Sequence, residues 1–461
     1  MGGFQGDFDG IPAADLGGSA IKAAMIGAGV SSVDEVIMGN VLPAGQGQAP
    51  ARQASFAAGL DASVPATTLN KMCGSGMKTS MIAFDQISLG NTNVMAVGGM
   101  ESMSNAPYLL PQMRSGARLG HAEVRDHMFL DGLEDAYQKG RLMGTFAEDC
   151  AEKYQLTRQA QDEYALTSLS YAIKAQEVGA FENEITGFTY KTRAGDVTIL
   201  NDEQPGKVRP EKIPHLKPAF RKDGTVTPAN SSSISDGAAA LVLASQTYAY
   251  QNDLTVRARI VGHASHAQEP GCFATAPIPA ARKLLECIDW SVPDVELWEV
   301  NEAFAVVPMA FMQDMSIVRD KINIHGGACA LGHPIGASGA RIIVTLLNAM
   351  ERYDLKRGVA AICIGGGGPL KDFSWPQVAS IPLVGIGIRR RLCSAWARCE
   401  TLGWSIVEIQ RRAAITRRAA RAPLIRVGFK GGRNRRRERR CLIHPCQRQT
   451  SMHRGRGYQV F

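Results

Sequence analysis

A chain of 461 residues, 45% hydrophobic and 20% charged, is long enough for two or three globular domains, and it lacks any apolar run near the roughly 18 residues of a membrane-spanning helix. Ten cysteines without regular spacing argue against a secreted disulfide scaffold and suit a reducing compartment in which one or two thiols are reactive. The net charge of +8 is unevenly shared: residues 1–368 sum to −9, while residues 369–461 carry 2 Lys and 19 Arg against 4 acidic residues, a net of +17.

So abrupt an Arg bias is what translation out of frame through G+C-rich sequence produces, and the chain reads as two texts joined near Gly368. At the other end, Met1–Asp7 has neither a basic segment nor an apolar core, so no secretory signal is readable and a cytoplasmic location is expected.

Residues 12–29 read as an amphipathic helix and Glu35–Val41 as a strand, followed by a loop around Gly45 and Gly47 and a short helix from Ala51. The apolar run Val64–Leu69 reads as a short buried strand. After Asn70-Lys71-Met72-Cys73-Gly74-Ser75-Gly76, the residues Met77, Met81, Ile82 and Leu89 recur at helical spacing. Cys73 is therefore expected at or just before a helix N-terminus, where unpaired N–H groups and the macrodipole favour a thiolate. Gly74 and Gly76 let the backbone approach a bound group closely. A small buried Cys in a tight turn is the alternative for this stretch alone.

A strand at Asn93–Gly98 runs into Gly98-Gly99-Met100-Glu101-Ser102-Met103-Ser104. From about 105 to 230, charged helices such as 145–155 and 157–178 alternate with polar loops, which reads as an insertion. Ser235–Ala238 then leads into the apolar run Ala239–Leu243. From Val256 the first pattern returns: strand Val256–Val261, helix Pro279–Cys287, strand Val295–Val300 running into Asn301-Glu302-Ala303-Phe304-Ala305, strand Lys321–Ile324, a glycine-rich turn over 326–339, helix 340–352 and strand Gly358–Ile364. Thr67-Thr68-Leu69 matches Ile322-Asn323-Ile324, and Val94–Gly99 matches Ala360–Gly366. This weak duplication of βα units predicts two mostly parallel sheets flanked by helices.

Three further motifs bear on Cys73. Gly326-Gly327-Ala328-Cys329-Ala330-Leu331-Gly332-His333-Pro334-Ile335-Gly336-Ala337-Ser338-Gly339 presents His333 from a compact turn, and a Cys–His pair from separate loops is the usual way to activate a thiol nucleophile. Cys363-Ile364-Gly365-Gly366-Gly367 adds a second thiol able to shuttle a proton, beside backbone N–H groups available to an oxyanion. Asn301 offers an amide at an expected helix start, where it also satisfies the reading of an N-cap.

Together these residues resemble the thiolase family, the acetyl-CoA acetyltransferases and 3-ketoacyl-CoA thiolases, over about Gly3 to Gly367. The resemblance implies an α/β fold of duplicated βαβαβαββ halves packed as α/β/α/β/α layers. The N-terminal half would span 1–245 with the loop-domain insertion at about 105–230, the C-terminal half 246–368, and the Arg-rich segment 369–461 would be a disordered or out-of-frame tail. It also implies Cys73 as the acyl-accepting nucleophile, His333 as its base and a donor to the first oxyanion hole, and Asn301 as holder of a water in that hole. Cys363 would be the acid/base at the α-carbon, and the backbone N–H groups of Cys73 and Gly365 the second hole. Ser232 and Phe220 align with positions contacting the pantetheine arm, Met143 with one near the acyl group, and Ala303 and Phe304 complete the expected substrate contacts. The implied reaction condenses two acetyl-CoA or cleaves 3-ketoacyl-CoA, with CoA as substrate and product, no metal and no other cofactor, in a homodimer or homotetramer without membrane or nucleic-acid partners.

Two other readings compete. β-Ketoacyl synthase chemistry would want a His where Cys363 stands. A catalytically dead, thiolase-like oligomerising or nucleic-acid-binding protein would use the basic run Arg433–Arg440. Cys441, His444 and Cys446 are metal-capable but fit no common zinc spacing. The chain also departs from the family. Leu142 stands where a His is usual, and the strand and Arg-Thr-Pro that usually precede Gly3-Phe4 are not in this sequence. The usual final strand after the last glycines is replaced by Gly368-Pro369-Leu370-Lys371-Asp372. A sheet lacking a central strand exposes unpaired backbone groups, so poor folding or inactivity is expected.

Overall fold

The computed structural model describes residues 1–193 and 195–366, together with the strands Leu383–Gly387 and Tyr458–Val460. The Arg433–Arg440 run and the Cys441–Cys446 segment lie outside the described residues. In chain order the elements are β1 (Gly2–Gly3), α1 (Ala13–Ala28), β2 (Glu35–Gly39), α2 (Pro50–Ala57), β3 (Ala66–Leu69), α3 (Ser75–Leu89), β4 (Val94–Ser102), β5 (Tyr108–Leu109) and β6 (Arg125–Asp126). Then come α4 (Met143–Lys153), α5 (Arg158–Glu177), β7 (Phe188–Thr192), β8 (Gly195–Ile199), β9 (Ser235–Ala244) and α6 (Gln246–Gln251). The remainder is β10 (Ala258–Ala264), α7 (Pro277–Ile288), β11 (Leu297–Val300), α8 (Val306–Met315), α9 (Ala328–Leu331), α10 (Ser338–Arg352), β12 (Arg357–Ala361), β13 (Leu383–Gly387) and β14 (Tyr458–Val460).

The duplication is visible in the strand order, which runs β11-β12-β13-β10-β14-β9-β4-β2-β3. β2 pairs in parallel with β3 and β4, and β11 in parallel with β12. Each half closes on antiparallel strands, β9 beside β4 and β13 between β12 and β10. The two ladders are not separate sheets, as the sequence pattern predicted, because β14 bonds to both β10 and β9. β4 is buried at every position, as expected of a strand with helices on both faces. β3 is half-exposed and ends the strand order, so the run before Cys73 is an edge strand rather than a buried one.

The second counterpart differs more. Ile322 makes a single bridge to Trp298, and Lys321–Ile324 forms no strand. The side chain of Asn323 takes the place of the missing ladder: its Oδ1 accepts from the Val300 N–H at 2.7 Å and its Nδ2 donates to the Val300 carbonyl at 2.8 Å. With φ at +47°, Asn323 turns the chain out of the sheet.

Residues 237–242 of β9 pair on one side with β4, while among the described residues the other side is met only at its ends, by β1 and β14. Between those ends lies a cavity of about 360 Å3, lined among others by Ala20, Ala23 and Ala24 of α1, Ala239 and Leu241 of β9 and Val344 of α10. Among the described residues, no helix is long and apolar enough to cross a membrane.

Candidate active site

The Cys73 turn is held by its own side chains. Asn70 Oδ1 accepts from the Met72 N–H at 2.9 Å, Ser75 Oγ accepts from the Lys71 N–H at 2.8 Å, and the Ser75 hydroxyl donates to the Met72 carbonyl at 2.6 Å. These bonds keep Met72 in the left-handed region at φ +51°, a conformation that a Met adopts only under local constraint. The chain then enters α3 through Gly74, which places Cys73 immediately before a helix start.

A second helix start, that of α10, meets the first. A Cβ on Gly76 would lie 2.8 Å from the Ala340 nitrogen, and one on Gly339 would lie 2.4 Å from the Met77 nitrogen. Only glycines permit this approach. It brings the turns that carry Cys73 and His333 to one place from opposite halves of the chain.

His333 is buried, and its imidazole is held at both nitrogens. Nδ1 faces the Ser338 hydroxyl, and Nε2 faces the Asn301 side-chain amide at 3.4 Å. Ser338 donates onward to the Pro334 carbonyl, so the network assigns the proton to Nδ1 and leaves Nε2 as an acceptor. Burial lowers the His333 pKa to about 3, with Arg341 adding to the effect, so the ring is neutral at physiological pH.

Asn301 is not an N-cap: α8 begins only at Val306, after Ala305. Its N–H donates to the Ala361 carbonyl at 2.9 Å, at the end of the strand that leads to Cys363. Its side-chain Oδ1 is buried without a hydrogen-bond partner among the described residues. The neighbouring Glu302 anchors this loop. Its carboxylate accepts from Tyr164 Oη at 2.9 Å, Ser168 Oγ at 2.7 Å, Asn323 Nδ2 at 2.8 Å and the Cys329 N–H at 3.1 Å.

The thiol of Cys73 receives the N–H groups of Gly365 and of Cys73 itself, yet burial dominates and pushes it up to about 11. The thiolate expected from the helix N-terminus is thus outweighed by desolvation, and the resting sulfur is protonated. Cys363 is fully buried, and burial together with the nearby Cys73 raises its thiol well above the ordinary range. Consecutive contacts therefore join all five candidates: Cys73 to Gly365, Gly365 along the chain to Cys363, Cys363 through Ala361 to Asn301, and Asn301 to His333.

The expected substrate contacts gather beside them. Met143 Sδ lies 3.1 Å from where a Gly365 Cβ would stand. The Phe220 ring covers Gly144 and meets Phe304 edge-on at 6.0 Å. Phe304, Ala303 and Cys363 share one apolar cluster, against which Met72, Met143 and Phe220 pack. Ser232 is tied to it through its N–H, which donates to the Ala303 carbonyl at 3.0 Å. Among the described residues, no three His, Cys, Asp or Glu side chains converge as metal ligands.

Residues 1–247 match the family model for the thiolase N-terminal domain and residues 254–370 that for the C-terminal domain. The chain belongs to the thiolase family. The acetyl-CoA acetyltransferase of Pseudomonas aeruginosa is 47% identical over 371 residues, 80% of this chain and 94% of the relative. Acetyl-CoA acetyltransferase 2 of Arabidopsis thaliana is 48% identical over 373 residues, 80% of this chain and 92% of the relative. The crystal structure of the Bacillus anthracis acetyl-CoA acetyltransferase is similar with a TM-score of 0.79 at 39% identity, covering 84% of this chain and 96% of that one. This thiolase is an acyltransferase with the thiolase-like α/β fold that the resemblance implied.

Ser338, Glu101 and Glu302 went unassigned in the sequence reading. Ser338 had a signal, five residues after His333 on the same turn; the two carboxylates sit inside quoted motifs, but their partners are supplied by distant segments.

Proposed function

We propose that this thiolase condenses two acetyl-CoA to acetoacetyl-CoA, and runs the reverse thiolysis, through an acetyl thioester on Cys73. His333 Nε2 takes the Cys73 proton, and the sulfur attacks the thioester carbonyl of the first acetyl-CoA. Collapse of the adduct breaks the carbon–sulfur bond to CoA, and the departing thiolate takes its proton from Cys363. Cys363, now a thiolate with a high proton affinity, removes a methyl proton from the second acetyl-CoA. The resulting enolate carbon attacks the Cys73 thioester. Cys73 leaves, recovers the proton held by His333, and acetoacetyl-CoA is released.

While protonated, His333 presents Nε2–H to the enolate oxygen, beside a water held by Asn301 Oδ1, which has no hydrogen-bond partner among the described residues. The N–H groups of Cys73 and Gly365 serve the oxygen of the Cys73 adduct. Ser232 and Phe220 would flank the pantetheine arm, with Met143, Ala303 and Phe304 around the acyl group. A thioester needs no metal to activate its carbonyl, so no cofactor is invoked. The observation that supports this reading most is the Gly365 N–H received by the Cys73 thiol, two residues along the chain from Cys363.

Incubation with radiolabelled acetyl-CoA tests it. Label is expected on the Cys73 peptide in the native chain and in Cys363→Ala, with acetoacetyl-CoA formed only by the former. Absence of label on Cys73, with salt-sensitive RNA binding instead, would favour the non-catalytic reading. A homodimer or homotetramer in the cytoplasm is part of the same proposal, supported by the half-exposed edge strand β3 and by exposed Leu110, Met113, Leu119 and Val124. Sedimentation equilibrium measures the assembly directly.

A further inference from the structure

Glu101 is the penultimate residue of β4 and is completely buried, yet it touches none of the groups through which the reaction passes. Its carboxylate is surrounded by four donors. Oε1 accepts from Asn40 Nδ2 at 2.8 Å and from the Leu42 N–H at 3.1 Å. Oε2 accepts from the Val41 N–H at 2.9 Å and from the Gly336 N–H at 2.9 Å. Three donors thus come from the loop after β2, in the first half of the chain, and one from the turn three residues past His333, in the second.

Each of these segments abuts the site. The carbonyl of Val41 accepts from Asn70 Nδ2 at 3.2 Å, the same Asn70 whose Oδ1 holds the turn before Cys73. Val41, Leu42 and Ile335 form a small apolar cluster against which Met72 and Cys73 pack. The fit at Gly336 is tight, since a Cβ there would stand 2.6 Å from Glu101 Oε2 and 2.8 Å from the Met100 carbonyl oxygen.

We propose that Glu101 is a positioning residue, a buried carboxylate that clamps the Cys73-side loop Asn40–Leu42 to the His333-side turn at Gly336 and so sets the spacing of nucleophile and base. This rests on the thiolase reading above. A carboxylate suits the task because it is the one common side chain that accepts four hydrogen bonds and donates none. A glutamine offers a single acceptor oxygen and an NH2 that would face N–H donors, leaving one loop or the other without its partner.

Burial raises the Glu101 carboxyl to about 7, and above that pH its charge opposes formation of the Cys73 thiolate. The other acid facing Glu101 is Asp236 of β9. The clamp therefore has two effects of opposite sign, which separates it from a merely structural role. In Glu101→Gln, kcat for acetoacetyl-CoA thiolysis is expected to fall by about tenfold to a hundredfold with KM little changed, as for a sub-ångström displacement of reacting groups. In the same variant, the pH profile of Cys73 alkylation by iodoacetamide shifts to lower pH, because the opposing charge is gone. Asn40→Ala, which removes one donor and keeps the charge, should lower kcat less and leave the alkylation profile in place. It also supplies the readout should Glu101→Gln fail to fold. If Glu101→Gln keeps kcat within about twofold of the native chain, or lowers it without moving the alkylation profile, the proposal is overturned. If label from acetyl-CoA never reaches Cys73 in the native chain, the thiolase reading has failed instead.

Discussion

The hydroxyl of Ser338 stands 2.5 Å from Nδ1 of His333 and donates a hydrogen bond to the Pro334 carbonyl at 2.9 Å. The imidazole thereby keeps the tautomer with a free Nε2 on the Asn301 side. Alanine at 338 removes that orientation while leaving the ring buried. Acetylation of Cys73 is expected to slow by roughly tenfold, the value of one hydrogen bond of about 1 kcal/mol plus the mixture of tautomers. Rapid-quench measurement of acetyl-enzyme formation checks it, and KM for acetyl-CoA should hardly move.

The pH behaviour of Cys73 follows from burial. With the thiol pushed up to about 11 and His333 held down to about 3, the resting pair is uncharged across the physiological range. The thiolate fraction then grows about tenfold per pH unit until the thiol titrates. Inactivation by iodoacetamide in the absence of CoA should climb steadily from pH 7 to pH 9. A plateau beginning below pH 8 would reveal a pre-formed thiolate–imidazolium pair and refute this account.

Acid should destabilise the fold through His325, which is buried beside Phe181 and Tyr353 and whose pKa is lowered to about 4, chiefly by burial. In the unfolded chain it titrates near 6.5. Below that pH the unfolded state gains a proton that the folded state refuses, so stability is lost progressively as pH falls from about 6.5 to 4. His325→Phe should flatten that slope by on the order of 2 kcal/mol, read from urea midpoints at several pH values.

Much of the site is legible in the sequence because glycine turns between strands and helices announce themselves locally. Cys73 before α3 and His333 before α10 are of this kind. Two readings failed for specific reasons. Asn301 resembles a helix cap because an apolar run follows it, but the helix is delayed to Val306 and the amide turns to His333. Lys321–Ile324 resembles a strand, but the side chain of Asn323 satisfies Val300 in place of a backbone ladder. The protonation of Cys73 was misjudged because helix position is written in the local sequence, whereas enclosure by Gly365 and Cys363 comes from segments nearly 300 residues away.

Glu302 offers a test of the insertion's contribution. It joins the Asn301 loop to Tyr164 and Ser168 of α5, so alanine there leaves four donors without their acceptor. A loss of roughly 3–5 kcal/mol is expected by analogy with other broken buried charge networks. Glu302→Gln should cost less, and denaturant unfolding of both variants measures the difference.

The cavity beside β9 makes the opposite prediction, a gain. Ala20 of α1 lines it and is only half-buried, so a leucine there has room to enter. Ala20→Leu should raise stability by about 1 kcal/mol, as cavity-filling substitutions commonly do. A lower unfolding midpoint would mean that the space is already occupied in solution.

The contact of Gly76 with Ala340 and of Gly339 with Met77 joins the two repeats. The sulfur is encoded in one repeat and the imidazole in the other, and they meet only where these two helix starts touch. The first repeat therefore carries the nucleophile Cys73, and the second carries both His333 and Cys363. Any change at those four residues has to preserve the seam that brings the two halves of the site together.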